Sequence, residues 1–185
     1  TETSATVEWE FRSGTETFDY LAAGETLTLT YTVEISDDNA TAGTTTQDVM
    51  ITINGTNDAP VLTVDGTGSV TEDVDVASDV ISTSGNLSVA DADTSDTHTV
   101  LAPEISEAGA VWSGGDISTI LNATQIAALE SGLSADGSGW TYEVDNALVQ
   151  FLAADETITL SYDVTVDDGS GTANATDTDT DTDTD

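Results

Sequence analysis

The chain of 185 residues carries 36 Asp and Glu against one basic residue, Arg12, for a formal net charge of −35, with one His and no Cys. Such a field repels nucleic acid and anionic membrane surfaces and favours cations as partners; the absence of thiols excludes disulfides and thiolate metal sites. No apolar run approaches the roughly 18 residues of a membrane span, so no membrane insertion is expected, and the opening Thr1-Glu2-Thr3 reads as a segment cut from something longer.

Residues 5–11 alternate Val7, Trp9 and Phe11 with Thr6, Glu8 and Glu10, the period-2 pattern of a half-buried strand. After a turn at Ser13-Gly14 and the stretch Phe18–Gly24, the apolar set Leu27, Leu29, Tyr31, Val33 and Ile35 alternates with Thr26, Thr28, Thr30, Thr32 and Glu34. This predicts a long strand with one apolar and one hydroxyl face. Asp37-Asp38-Asn39 closes it, and a further strand follows with Val49, Ile51 and Ile53 on one face.

That strand runs into Gly55-Thr56-Asn57-Asp58-Ala59-Pro60, where Pro60 fixes φ and biases Ala59 towards an extended conformation. The heptapeptide ending at Val61 reads equally as a calcium-clamped hinge or as an ordinary Asn-Asp-x-Pro turn. Beyond it, Val61–Val64 and Gly68–Val70 read as short strands, followed by Thr71-Glu72-Asp73 and an acidic loop. Leu87 and Val89 begin a strand that ends at Asp91-Ala92-Asp93, with Thr97–Leu101 expected as its partner after a turn at Asp96. Over residues 116–131 the apolar positions Ile117, Ile120, Leu121, Ile126 and Leu129 fall at helical spacing, with Asn122 or Thr124 as caps, which predicts one or two short helices.

The chain then repeats itself. Trp9 and Trp140, Leu21 and Leu152, and Tyr31 and Tyr162 are each separated by 131 positions, and the residues around them match. A fixed period of this kind points to tandem modules. The expected organisation is the C-terminal half of one repeat over 1–54, a linker over 55–60, a second repeat lacking its closing strand over 61–176, and a solvated low-complexity Asp/Thr tail over 177–185.

The chain resembles the VCBS repeats of large secreted RTX-type bacterial adhesins. The resemblance rests on Gly55-Thr56-Asn57-Asp58-Ala59-Pro60, Ser69-Val70-Thr71-Glu72-Asp73, Asp91-Ala92-Asp93 through Asp96-Thr97-His98-Thr99, and Trp140–Asn146. It continues through Glu156–Leu160 to Asp167–Thr172. It implies an all-β fold of tandem immunoglobulin-like or cadherin-like β-sandwich modules, here with a short helical insertion in the second. It also implies type I secretion to the cell surface, a role in adhesion and biofilm, and calcium (Ca2+) stiffening the joints. The first repeat lacks its front half and the second its closing strand, so neither need behave as a complete domain.

Calcium takes six to eight oxygen ligands. Asn57 and Asp58 offer them at the joint, and the resemblance assigns Glu72, Asp91 and Asp93 to the same ion, with Asp96 and Asp73 in reserve. Asp91-x-Asp93 on an extended chain puts both carboxylates on one face. The competing reading makes all of these solvated turn acids. Asp37 and Asp38 read as hairpin caps, and the acids at Asp163, Asp167 and Asp168 as a weaker second end. Trp9, Phe11, Tyr31, Trp140, Tyr142 and Tyr162 read as core, Trp112 as open to exposure, and His98 as facing solvent.

One His, no Lys and no Cys leave little for catalysis, so the chain is expected not to be an enzyme. The expected function is a calcium-stiffened extender, with neighbouring repeats and cell-surface or matrix glycans as further partners. The alternative is a glycan- or ice-binding module using the threonine row of residues 26–32. A high-salt habitat is a further reading of the acidity, because screening lengths fall to about 3 Å at 1 M salt.

Overall fold

The computed structural model describes residues 6–37 and 43–170, and the backbone of 175–177. The chain divides into two compact units, Thr1–Asp58 with Ala92–Ser95, and Ala59–Asp91 with Asp96–Asp185.

In the first unit, β1 (Thr26–Ser36) pairs antiparallel with β2 (Thr44–Asn54), from Thr26 opposite Asn54 to Ser36 opposite Thr44. β-Branched residues at alternate positions favour this pleated ladder. At its far end Asp37 N donates to Gly43 O at 3.1 Å and Asp37 Oδ1 accepts from Gly43 N at 3.1 Å, so Asp37 is the hairpin cap expected of it. Asp38 lies outside the described residues. Thr26, Thr28, Thr30 and Thr32 face solvent, while Leu27, Leu29 and Val33 share the half-buried face with Val49, Ile51 and Ile53.

A tight turn precedes β1. Leu21 N donates to Phe18 O at 3.1 Å, Glu25 N to Ala22 O at 3.0 Å, and the Glu25 carboxylate accepts from Ala22 N at 3.1 Å. Gly55 lies across this turn and gives its N–H to Glu25 O at 2.9 Å. A Cβ on Gly55 would stand 2.3 Å from both the Leu21 and Ala22 carbonyl oxygens, so only glycine fits.

Residues 6–11 form no strand, contrary to their alternation, and Trp9 is 60 % exposed. The reason is pairing. Their counterparts in the second unit lie in a strand flanked on both sides, whereas 6–11 have no such neighbours among the described residues. The core role expected of Trp9 and Tyr31 is corrected accordingly; both rings stand open, with Phe11 6.4 Å from Tyr31.

The second unit holds the remaining strands: β3 (Val61–Val64), β4 (Val76–Ala77), β5 (Val80–Gly85), β6 (Leu87–Ala90), β7 (Thr99–Val100), β8 (Glu104–Ile105) and β9 (Val111–Trp112). A 3-10 turn at Ile117–Thr119 and helix α1 (Ala123–Glu130) follow, then β10 (Leu133–Asp136), β11 (Gly139–Asp145), β12 (Ile158–Thr159), β13 (Tyr162–Asp167) and β14 (Ala175–Asp177). The described elements are thus mostly strands in small antiparallel sheets with one short α-helix, an all-β arrangement.

Helix α1 begins where its cap predicts. Asn122 Oδ1 accepts from Thr124 N and Gln125 N at 3.0 and 3.1 Å, and Gln125 Oε1 accepts from Asn122 N at 3.1 Å, a complete capping box. At the other end Leu129 O, one of the carbonyls a helix leaves unmet, accepts from the Tyr142 and Tyr162 hydroxyls at 3.2 and 3.4 Å.

β11 lies between β10 and β5, which carry its alternate residues Trp140, Tyr142 and Val144 into a core with Ile81, Leu129 and Tyr162. A smaller cluster joins Leu62, Leu87, Val164 and Val166. Trp140 is seated where Gly68 and Gly85 leave no room for a Cβ, and its Nε1 donates to Asp65 O at 2.8 Å.

Three local expectations are corrected. Gly68–Val70 makes no strand, because Gly68 is committed to the Trp140 ring and Val70 to the core. β6 pairs with β3 instead of with the 97–101 segment, whose β7 pairs with β13. Trp112 is partly buried, with its ring edge-on to Phe151 at 5.4 Å. Of the expected tail, Asp177 belongs to β14 and residues 178–185 lie outside the described ones.

Candidate metal centre

Two ladders of the second unit deliver carboxylates to one place. The β3–β6 ladder ends at Val61 opposite Ala90, and Asp91 follows directly. The β7–β13 ladder sets Asp167 opposite Thr99, which brings Asp168 to the end from which the chain leads back to Asp96. Asp91, Asp96 and Asp168 each offer an oxygen there, all within 4.8 Å of one another. Asp168 is 5 % exposed, and Asp91 and Asp96 are half-buried.

Two of the three carboxylates are also held by neighbours. Asp168 Oδ1 accepts from Ser170 N at 2.8 Å, and Asp91 Oδ2 lies 2.9 Å from His98 Nε2. His98 is exposed, as expected, and its ring also reaches Asp91. Asp167 Oδ1 is occupied by Gly169 N at 2.8 Å and caps the turn.

The donor set could hold a hard cation. Ligands on one calcium ion at about 2.3–2.6 Å stand no more than roughly 5 Å apart, and carboxylate oxygens suit hard cations over softer metals. Three anions this close in a partly dry corner repel one another, and a bound cation reverses the sign of that interaction.

The other residues expected to bind metal are not members of this three-residue group. In the first unit Asp93, 1 % exposed, accepts from Asp58 N through Oδ2 at 2.7 Å, and Asn57 Nδ2 donates to Asp58 O at 2.9 Å. Glu72, in the second unit, does not join the Asp91–Asp96–Asp168 cluster; its carboxylate lines a cavity with Tyr142 and Leu160, where Oε2 is buried without a hydrogen-bond partner. Asp73 accepts from Asn146 Nδ2 and Gln150 Nε2, both at 2.8 Å, and those bonds hold its carboxyl below the usual range. Asp168, read from the sequence as part of a weaker second end, is the third member of the cluster.

The chain matches no model of a known protein family, and no curated protein matches it. Among the described residues no helix is long and apolar enough to cross a membrane.

Proposed function

We propose that this chain is a calcium-stiffened extender and adhesion module of a large secreted bacterial surface protein, non-catalytic, built of VCBS-like immunoglobulin or cadherin-like β-sandwich repeats. The observation that carries the reading is the convergence of Asp91, Asp96 and Asp168. An ion there would join the end of β6, the turn at Asp96 and the end of β13, three segments whose charges otherwise push them apart. The net charge of −35 supports the same reading, since an exporting cell delivers such a chain to a calcium-rich exterior where its self-repulsion is neutralised.

Calcium at millimolar concentration is expected to raise the melting temperature and lengthen the solution scattering envelope relative to chelator at the same ionic strength. Identical curves in calcium, chelator and matched sodium would remove the proposal, and equal gains from sodium and calcium would favour the high-salt reading.

The exposed row Thr26, Thr28, Thr30 and Thr32 on β1, with Thr52 and Asn54 across the ladder, favours the second reading, a glycan- or ice-binding face. Loss of glycan-array signal or of ice-recrystallisation inhibition on replacing Thr28 and Thr30 by Val would establish it.

A further inference from the structure

The tandem repeat places the same turn in both units, and the two copies agree bond for bond. Leu152 N donates to Val149 O at 3.0 Å and Glu156 N to Ala153 O at 2.9 Å, and the Glu156 carboxylate accepts from Ala153 N at 3.0 Å. Gly24 and Asp155, at the same repeat position, both take positive φ, +87° and +70°. In the first unit this turn is covered by Gly55 at the end of β2. In the second, among the described residues, Leu152, Ala153 and Glu156 border an open cavity of about 230 Å³ floored by Leu129, Tyr142 and Leu160.

The backbone beside the cavity is oriented to receive a strand. Successive residues of a strand direct their hydrogen-bonding groups to opposite edges. Thr157 O and Ser161 O accept from Ser113 N and Ser106 N at 2.9 and 2.8 Å, so positions 157, 159 and 161 serve the edge taken by β9 and β8. Glu156, Ile158 and Leu160 therefore serve the other edge. Their counterparts in the first unit, Glu25, Leu27 and Leu29, are the positions that serve β2, as the bond from Gly55 N to Glu25 O shows. Further along, β14 pairs with Val164–Val166 of β13, so a strand at 157–162 would continue that ladder.

We propose that the edge formed by Glu156, Ile158 and Leu160, with its adjoining cavity, is an acceptor site for an extended peptide segment of the chemistry of Val49–Gly55, docking by strand addition. Such a segment carries apolar residues at alternate positions, as Val49, Ile51 and Ile53 do, over the apolar residues Ile158, Leu160 and Tyr162. It then crosses the Leu152-Ala153 backbone with a glycine. The occupant's N–H at that glycine meets Glu156 O, and the buried Glu72 Oε2 on the cavity wall offers an acceptor for a further donor. The inference stands apart from calcium binding, because none of these residues belongs to the Asp91–Asp96–Asp168 cluster.

The test is titration of the full chain with a synthetic peptide of the sequence Thr44–Asp58, in roughly 0.5 M salt to screen like charges, read by calorimetry and by amide hydrogen exchange. The expected result is saturable one-to-one binding with new protection at the Ile158 and Leu160 amides, and affinity at least tenfold weaker for the peptide carrying Gly55→Val. Four results would overturn it. They are absence of binding at millimolar peptide, equal affinity of the Gly55→Val peptide, protection confined to β1 through exchange with β2, and self-association of the chain that the peptide cannot compete away, which would give the edge to a second copy.

Discussion

Trp140 and Trp9 hold the same place in the tandem repeat, as do Tyr162 and Tyr31, yet the first of each pair is 4 % and 5 % exposed and the second 60 % and 50 %. The side chains are the same and the local alternation is nearly the same. What differs is the surroundings: β11 has β10 and β5 at its edges and α1 over its face, whereas the β1–β2 hairpin is a sheet of two strands. Binary pattern thus states which face of a strand is apolar, and burial is decided by elements that come from distant parts of the chain.

The sharpest way to break this comparison is to truncate both indoles. Trp140→Ala should cost about 3–5 kcal/mol and abolish cooperative unfolding of the second unit, while Trp9→Ala should change stability by less than about 0.5 kcal/mol. Urea unfolding followed by near-ultraviolet dichroism separates them, and equal costs would mean that Trp9 is covered in solution.

Gly55→Val probes a place where the first unit is tightly closed. With no space for a Cβ against Leu21 and Ala22, it should destabilise the hairpin by about 1–3 kcal/mol. Gly137→Val, in a turn of the second unit with nothing near its Cβ position, is expected to cost far less. Hydrogen exchange at β1 and β2 amides distinguishes the two.

The buried tyrosine supplies a pH-dependent contrast. Burial, and then the nearby Glu130 carboxylate, push the Tyr162 phenol well above its ordinary value. Its contribution is fully present below the unfolded tyrosine pKa of about 10 and is lost as pH rises beyond that. Alkaline unfolding should therefore begin just above pH 10 and be blunted in Tyr162→Phe, but remain unaltered in Tyr31→Phe. A smaller effect, about 1 kcal/mol, is expected for Asn122→Ala, which removes the capping box of α1 and should lower helix protection without moving the β1–β2 hairpin.

Much of this fold was legible locally. The two-faced strands β1 and β2, the limits of β3 and the start of α1 at Asn122 all follow from periodicity and capping chemistry within a few residues. Pairing was not: β7 carries nothing in its sequence that assigns it to β13 over β6. The candidate site was legible only in part. Asp91 and Asp96, both singled out from their motifs, stand together, and the chain bends at Ala92 between Asp91 and Asp93. Asp168 reaches Asp91 and Asp96 through long-range ladders that no local motif announces.

The most direct measurement is a calorimetric calcium titration of the full chain at physiological salt, beside Asp168→Asn and the charge-matched Asp48→Asn on the exposed strand β2. One site is predicted with affinity in the 10⁻⁴–10⁻³ M range usual for extracellular modules, weakened at least tenfold by Asp168→Asn and unchanged by Asp48→Asn. Equal weakening in both variants, or no calcium heat at all, would contradict the account.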